Sequence, residues 1–332
     1  MHSALISSGF GSSAAQAARL RGSPRTGRAT AGTRRSLACA PVAVLSPVTP
    51  EPTSVTGRQV TIHHHEQTDS SNDLPELISR ETVRALEAEL DRSESVAALR
   101  SFNLALANLD ADTWKAKLRP VLRELAYNLE SFNPLFTAVL LKVQCGIGAT
   151  DYVRRDHALK NLIQPLAGEY GMHNGEPQAR THRELFSEFY QSLMGEPLEE
   201  MMREDAAPAL SVAAFDAMLK DVMTAGSTDA DVVEQGSYAM GYNLAIEYLA
   251  DYEKTWMLDS FRELHRNHMA HDLDWTFLTV HAEGEAEHAA IGHEAVESLV
   301  PSAHVGLVRK AMRDHDRDFA KFYNALAAML EG

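Results

Sequence analysis

The sequence predicts an all-α protein of seven or more helices, and three features of the chain support this fold class. Apolar residues recur at helical spacing from Leu74 to the C-terminus, in segments rich in Glu, Arg and Ala. Runs that alternate polar and apolar residues between turn signals, as half-buried strands do, are nearly absent. The sequence contains no Gly-rich phosphate loop and no repeat at solenoid spacing. Together these features indicate a helical bundle in one domain.

The chain divides by composition into an extension, residues 1–75, and a folded domain, residues 76–332. The extension is rich in Ser, Ala, Arg, Gly, Thr and Pro and has no apolar periodicity, so we expect it to be disordered. Its first 50 residues carry six arginines and no acidic residue. This composition also fits an organelle transit peptide or a start codon assigned too far upstream, and both alternatives stay open.

Charge and cysteine content exclude several classes of function. The net charge is −15, and all of the 46 acidic residues lie at or after Glu51. Such an acidic body repels nucleic acid and anionic membranes, so we expect neither as a partner. The two cysteines, Cys39 and Cys145, exclude a disulfide framework and a cysteine-built metal cluster. No apolar run has the length of a membrane span, so we expect a soluble, cytoplasmic protein.

The helices follow one another with breaks at Gly and Pro. Pro120 is predicted to mark a kink or a break, and Asn133-Pro134 to open a new helix with Pro in the first position. Gly146–Gly148 is predicted to form a turn. After the helical region from Leu74 to Leu106, the predicted segments are Trp114–Asn128, Leu135–Lys142, Tyr152–Leu166, Thr181–Leu193, Ser211–Thr224, Asp231–Arg266, Leu273–Val300 and Val305–Leu330.

The segment Trp275–Val300 carries a metal-binding pattern. His281, Glu285 and His288 stand at positions i, i+4 and i+7, which place them within roughly 60° of one another on an α-helix. One helix face therefore bears two imidazoles and a carboxylate, a ligand set that suits iron, manganese or zinc. The alternative is an acidic, exposed helix with scattered histidines. Apolar residues just upstream favour a packed helix.

Three further residues could complete a metal site, because helical bundles direct ligands from several helices into the core. Glu169 ends an apolar helix, and His182 begins the next one. An exposed helix end and a capping or core histidine are the alternatives for these two. Glu247 interrupts an apolar helix, where a carboxylate needs a partner or a cation. Its alternative is a partly exposed position paired with Lys254.

The six candidates, three carboxylates and three imidazoles, suffice for two ions. Glu285-Ala-Glu-His288 is the only Glu-x-x-His in the chain, whereas the ferritin-like arrangement needs two such motifs, which argues against that arrangement. Tyr238, Tyr242, Asp251 and Asp274 lie near these segments and could orient the histidines, or could serve as core tyrosines and helix-capping aspartates.

The order Glu…His…Glu…His-x-x-x-(Asp/Glu)-x-x-His resembles the haem-oxygenase-like di-iron oxidases and oxygenases. The segments GEYG…HRELF, AIEY and TVHAEGEAEH carry the resemblance, which covers roughly residues 130–300. It implies a haem-oxygenase-like helical bundle that binds two Fe(II) ions and uses O2 as co-substrate. Glu285 departs from the pattern, because aspartate is more usual there. The ligands that the resemblance implies are Glu169, His182, Glu247, His281, Glu285 and His288.

Members of this family are similar in their site and diverse in their reactions. From the resemblance we expect a non-haem di-iron enzyme that oxidises a small nitrogen-bearing metabolite, with N-oxygenation of an amine in specialised-metabolite biosynthesis the leading reaction. Oxidative C–C or C–N fragmentation of an amino acid or fatty acid is the alternative at the same site. A metal-free member of the fold or a non-catalytic helical binding protein is the alternative of another class. An external electron donor and a homodimer stay open as partners.

Overall fold

The computed structural model describes residues 75–146, 152–173, 176–177, 179–203, 208–225 and 230–332, except for the side chains of residues 173, 176, 177 and 284–287. Within these residues lie ten α-helices, a 3-10 turn at Ser302–His304, and a short antiparallel ladder that pairs Met172–His173 with Glu176–Pro177. The all-α prediction is confirmed. The helices are α1 (Arg80–Leu90), α2 (Glu94–Ala107), α3 (Trp114–Gly146), α4 (Tyr152–Glu169), α5 (His182–Met194), α6 (Leu198–Met202), α7 (Ala209–Thr224), α8 (Val232–His268), α9 (Thr276–Leu299) and α10 (Val305–Glu331).

Side-chain caps fix the starts of several helices. The hydroxyl of Ser79 accepts a hydrogen bond from the backbone of Thr82 at the start of α1. Asp231 caps α8 and forms a capping box with Glu234. Such caps satisfy backbone N–H groups that have no partner within the helix. The predicted start of this long helix at Asp231 therefore agrees with the structure to within one residue.

The prediction of a helix break between Trp114 and Gly146 is wrong, because α3 is one continuous helix there. It runs without interruption through both Pro120 and Pro134, so Pro134 does not open a new helix. Each proline removes one backbone hydrogen bond from the helix. Buried side chains next to each proline, such as Val121 and Phe136, keep one face of α3 packed against α7 and α8. Tertiary packing of α3 therefore outweighs the local tendency of proline to end a helix.

Helix α8 lies at the centre of the bundle and packs against α2, α3, α9 and α10. Every residue from 236 to 245 is buried. At Gly241 the backbone of α10 comes so close that an added Cβ atom would lie 2.7 Å from Cα of Val308. This close approach requires glycine. The same helix carries Glu247 into the interior, where it is 2% exposed.

Two predictions fall outside the described residues: the disordered extension at residues 1–75, apart from its last residue, and the turn at residues 147–148. They stay predictions. In the described part of the chain, no helix combines the length and the apolar character that crossing a bilayer requires.

Candidate metal centre

Three of the predicted ligands meet at the junction of three helices. Glu169 is the last residue of α4, His182 the first of α5, and His281 lies in α9. Each residue offers a ligand atom, and the three atoms lie within 4.8 Å of one another. Oε1 of Glu169 is 2.7 Å from Nδ1 of His182, and the rings of His182 and His281 are 4.2 Å apart between centroids. The sequence separates these residues by up to 112 positions, and the fold brings them together.

The start of α5 holds His182 in position. Thr181, not His182, is the N-cap: its hydroxyl accepts from the backbone of Glu184, and the Glu184 carboxylate accepts from the backbone of Thr181 in return. This capping box fixes the backbone on either side of the histidine. His182 is only 12% exposed and Glu169 only 16%. The capping role and the exposed helix end considered for these two residues are therefore not what the structure has. The hydrogen bond between His182 and Glu169 fits the other alternative, a core histidine with a partner, as well as it fits a pair of metal ligands.

His281 is oriented by its own helix. Its Nδ1 lies 2.7 Å from the carbonyl oxygen of Phe277, which can only accept, so Nδ1 carries the proton and donates. The lone pair then resides on Nε2, the arrangement that metal-binding histidines use. Burial, together with His182 and the Lys254 ammonium, holds the pKa of His281 well below its usual range. The ring is therefore neutral at physiological pH, which is the form that binds metal.

Glu247 and His288 form the second part of the site. Glu247 in α8 is buried, which excludes the partly exposed position that the sequence left open. Its Oε2 lies 4.0 Å from Nδ1 of His288 in α9. The Lys254 ammonium contacts the neighbouring Glu253 carboxylate at 3.2 Å. A carboxylate buried this deeply is costly unless a charge or hydrogen bonds compensate it, and a cation would do so here.

One cavity connects the two parts of the site. It has a volume of about 90 Å³ and is lined by Glu169, Glu247, His281 and His288 among others. The side chain of Glu285, the sixth predicted ligand, lies outside the described residues. Its position in α9, four residues after His281 and three before His288, is on the same helix face. The structure thus brings five of the six predicted ligands to one place, and the ligand role of all six stays a proposal.

The donor set fits first-row transition metals. Two carboxylates and two imidazoles line one cavity, and the third imidazole, of His182, contacts Glu169 and His281 beside it. Mixed oxygen and nitrogen ligands of this kind suit iron, manganese and zinc. His293, which the sequence places off this face, is instead hydrogen-bonded to Glu87 at 2.9 Å. The residue spacing in α9 therefore distinguishes the candidate ligands from His293, whose hydrogen bond to Glu87 gives it a structural role.

Residues considered as orienting groups for the histidines have other contacts. The hydroxyl of Tyr238 donates to Asp314 at 2.7 Å. Asp274 accepts from the backbone of Thr276 at the beginning of α9. The ring of Tyr242 packs edge-on against His315 in α10, with 5.1 Å between ring centroids. Tyr238 is a core tyrosine, and Asp274 hydrogen-bonds the first residue of α9, although the N-cap position itself is Trp275.

Sequence reasoning missed Glu253 and His315 as polar residues that line the same cavity, and it named Lys254 only as a possible partner of Glu247. Lys254 lies about two turns beyond Glu247 on the same face of α8, Glu253 is the residue before it, and His315 comes from α10. All three are buried. The spacing of seven residues places Lys254 on the face of Glu247, whereas the spacing of six does not indicate Glu253. The sequence shows His315 only as a polar residue four positions before Phe319 on an otherwise apolar helix face, which does not assign it to the site.

Comparison with known proteins supports the fold and nothing finer. The chain is similar to a CADD-like protein of unknown function from Nostoc punctiforme PCC 73102, in a structure at 2.00 Å resolution, with a TM-score of 0.56 and 16% identity over 75% of this chain and 96% of that one. A second structure described in the same way, at 1.35 Å resolution, gives a TM-score of 0.54 and 15% identity over 76% and 95% of the two chains. No protein-family model matches the sequence, and no curated protein matches it either. At this identity the likeness shows the helical fold alone.

Proposed function

We propose that this protein is a non-haem di-iron oxidase or oxygenase that uses O2 to oxidise a small nitrogen-bearing metabolite, with N-oxygenation of an amine as the leading reaction. The observation that carries the proposal is that Glu169, Glu247, His281 and His288 line one cavity, and that His182 contacts two of them, Glu169 and His281. The nitrogen preference comes from the family resemblance of the sequence. The helical likeness to solved structures agrees with that resemblance.

The five residues divide into two groups that could each hold an ion. Glu169, His182 and His281 supply one carboxylate and two imidazoles within 4.8 Å of one another. Glu247 and His288 supply a carboxylate and an imidazole 4.0 Å apart. Glu285 is proposed as a further ligand from the sequence. When bound, two ferrous ions would supply the electrons and the open coordination positions with which O2 is activated.

The surrounding residues orient the site and keep water out. The Phe277 carbonyl fixes the tautomer of His281, so that Nε2 is available without a change in ring orientation. Phe132, Phe215 and Phe319 contribute apolar surface to the cavity. Apolar walls of this kind limit the access of water to reactive species.

The size and polarity of the cavity favour a small substrate over a fatty acid. Its volume of about 90 Å³ is of the same order as the roughly 150 Å³ of an engineered cavity that accepts benzene, a size that suits a short amine. A long apolar tunnel would have favoured the conversion of fatty acids. Instead, Glu253, Lys254 and His315 place polar groups on the wall. A small molecule with polar groups therefore suits the site better.

The alternative of a metal-free member of the fold has less support in the case of the thiamin-degrading hydrolases, which are such members. That chemistry requires a nucleophilic cysteine. Cys145 is exposed and is not among the described residues that line the cavity.

The proposal is tested by loading the chelator-treated protein with Fe(II) without oxygen, then adding O2, a reductant and a panel of small amines. N-oxygenation places one oxygen atom of O2 on nitrogen, and the other leaves as water with two electrons and two protons from the reductant. We expect at least one amine to give a product that retains isotope label from O2, as detected by mass spectrometry. The reductant stands in for the external electron donor.

Two variants of helix α9 make the experiment specific. His281→Ala removes a candidate ligand and is expected to abolish labelled product. His293→Gln changes a histidine of the same helix that contacts Glu87 and does not line the cavity, so turnover should stay close to wild type. Equal activity of wild type and His281→Ala would contradict the proposal, as would products that carry no oxygen from O2.

A further inference from the structure

His315 stands apart from the other polar residues of the cavity wall. It lies in α10, is 3% exposed, and lines the cavity that the candidate ligands share. Among the described residues, no group forms a hydrogen bond with Nδ1 or with Nε2 of this ring. Buried imidazole nitrogens nearly always have partners. A molecule that occupies the cavity is in a position to supply one.

The packing around His315 holds the ring without satisfying its nitrogens. The ring of Tyr242 contacts it edge-on, and the ring of Phe319 lies 5.3 Å away between centroids. Burial lowers the pKa of His315 to about 4, although Asp316 and Asp318 act in the opposite direction. The imidazole is therefore neutral at physiological pH and offers one N–H donor and one nitrogen acceptor.

The charges near this wall already have partners. The Lys254 ammonium contacts the Glu253 carboxylate at 3.2 Å, and the Tyr323 hydroxyl donates to the same carboxylate. Phe215 and Met218 add apolar surface. A charged group placed beside His315 would lose its hydration and gain no opposite charge from the ring. An uncharged group that both donates and accepts, such as a hydroxyl or a carboxamide, matches the neutral imidazole.

We propose that His315 binds the end of the substrate remote from the metal ligands, by hydrogen bonding an uncharged hydroxyl or carboxamide group. The substrate class is then a short aliphatic amine with such a group at its far end. The amine end rests on the proposed function, whereas the polar end rests on His315 and its surroundings. His315 acts here as a specificity-determining residue, separate from the candidate ligands.

The test compares two probes of equal length, 4-aminobutan-1-ol and n-pentylamine, which differ in a terminal hydroxyl against a methyl group. Their affinities are measured by isothermal titration calorimetry on the metal-free protein and on the anaerobic Fe(II)-loaded protein. Wild type is expected to bind the hydroxyl probe about tenfold more tightly, because one additional hydrogen bond of ordinary net strength changes an affinity by about this factor. His315→Phe, which keeps a ring and removes both nitrogens, should reduce this ratio to about one or below.

Two further variants keep the experiment decisive. His315→Gln retains a donor and an acceptor and should keep part of the preference, so it separates loss of hydrogen bonding from loss of packing. His157→Phe changes an exposed histidine of α4 and should leave the ratio at its wild-type value. Far-UV circular dichroism checks that each variant is folded.

The outcomes distinguish this inference from the proposed function. An equal affinity of wild type for both probes, or binding of neither, overturns the role of His315. An unchanged ratio in His315→Phe overturns it as well. If the hydroxyl preference depends on His315 but no iron binds, the di-iron proposal fails and the inference stands. If iron binds and the preference is absent, only the inference fails.

Discussion

The burial of His315 predicts a specific loss of stability in acid. The unfolded chain has a histidine pKa of about 6.5, whereas burial lowers the pKa of His315 in the folded protein to about 4. Between these values the unfolded state binds more protons, so the contribution is present above about pH 6.5 and is lost as the pH falls. From these two pKa values, wild type loses about 2.5 kcal/mol of unfolding free energy through this residue between about pH 7.5 and about pH 4.5.

His315→Phe removes the titrating group, so the variant should lose about 2.5 kcal/mol less than wild type over the same interval. The measurement is urea unfolding at both pH values, followed by circular dichroism, with a chelator present so that bound metal does not contribute. Comparing the pH dependence of the two proteins cancels the direct effect of the substitution on packing. His157→Phe, at an exposed position, should follow wild type. An equal loss in wild type and His315→Phe would refute the account of this ring as buried and neutral.

Three further predictions concern a buried carboxylate, a close helix contact and the N-terminal extension. Glu124→Leu should lower the unfolding free energy by about 2–4 kcal/mol in urea titrations. The buried carboxylate accepts hydrogen bonds from the backbone N–H and the hydroxyl of Ser211 at the start of α7, and the variant loses both. An effect below about 1 kcal/mol would contradict this. Gly241→Ala should lower the melting temperature by several degrees, because the added Cβ would meet the backbone of α10. Gly306→Ala is the control and should not lower it, because the space around Gly306 is open. Equal melting temperatures of the two variants would contradict the close packing at Gly241. Deletion of residues 1–70 should leave turnover unchanged, and a large drop would contradict the prediction of a disordered extension.

The fold was largely predictable because the apolar periodicity of the chain is helical nearly throughout. The caps at Thr181 and Asp231 coincide with the predicted starts of α5 and α8. The prolines of α3 were misinterpreted, since local preference at Pro120 and Pro134 does not include the packing of the neighbouring side chains. Packing of this kind involves residues distant in the sequence.

The candidate site was predictable as far as residue type and helical spacing allow. The face of α9 with His281 and His288 follows from spacing alone, whereas the apolar neighbours of Glu247 favour its burial but leave a partly exposed position open. The contact between Glu169 and His182 depends on the angle between α4 and α5. His315 could not be assigned from the sequence, because a histidine on an apolar helix face is more often a core residue with a hydrogen-bond partner.

The central claim, a dinuclear iron site, is tested most directly by counting the ferrous ions bound per chain after anaerobic loading of the metal-free protein. We predict close to two per wild-type chain, fewer in His281→Ala, and the wild-type number in His293→Gln, whose histidine contacts Glu87 and lies off the cavity. Circular dichroism should show unchanged helicity in both variants. No specific binding by wild type, or the same count in His281→Ala as in wild type, would contradict the account.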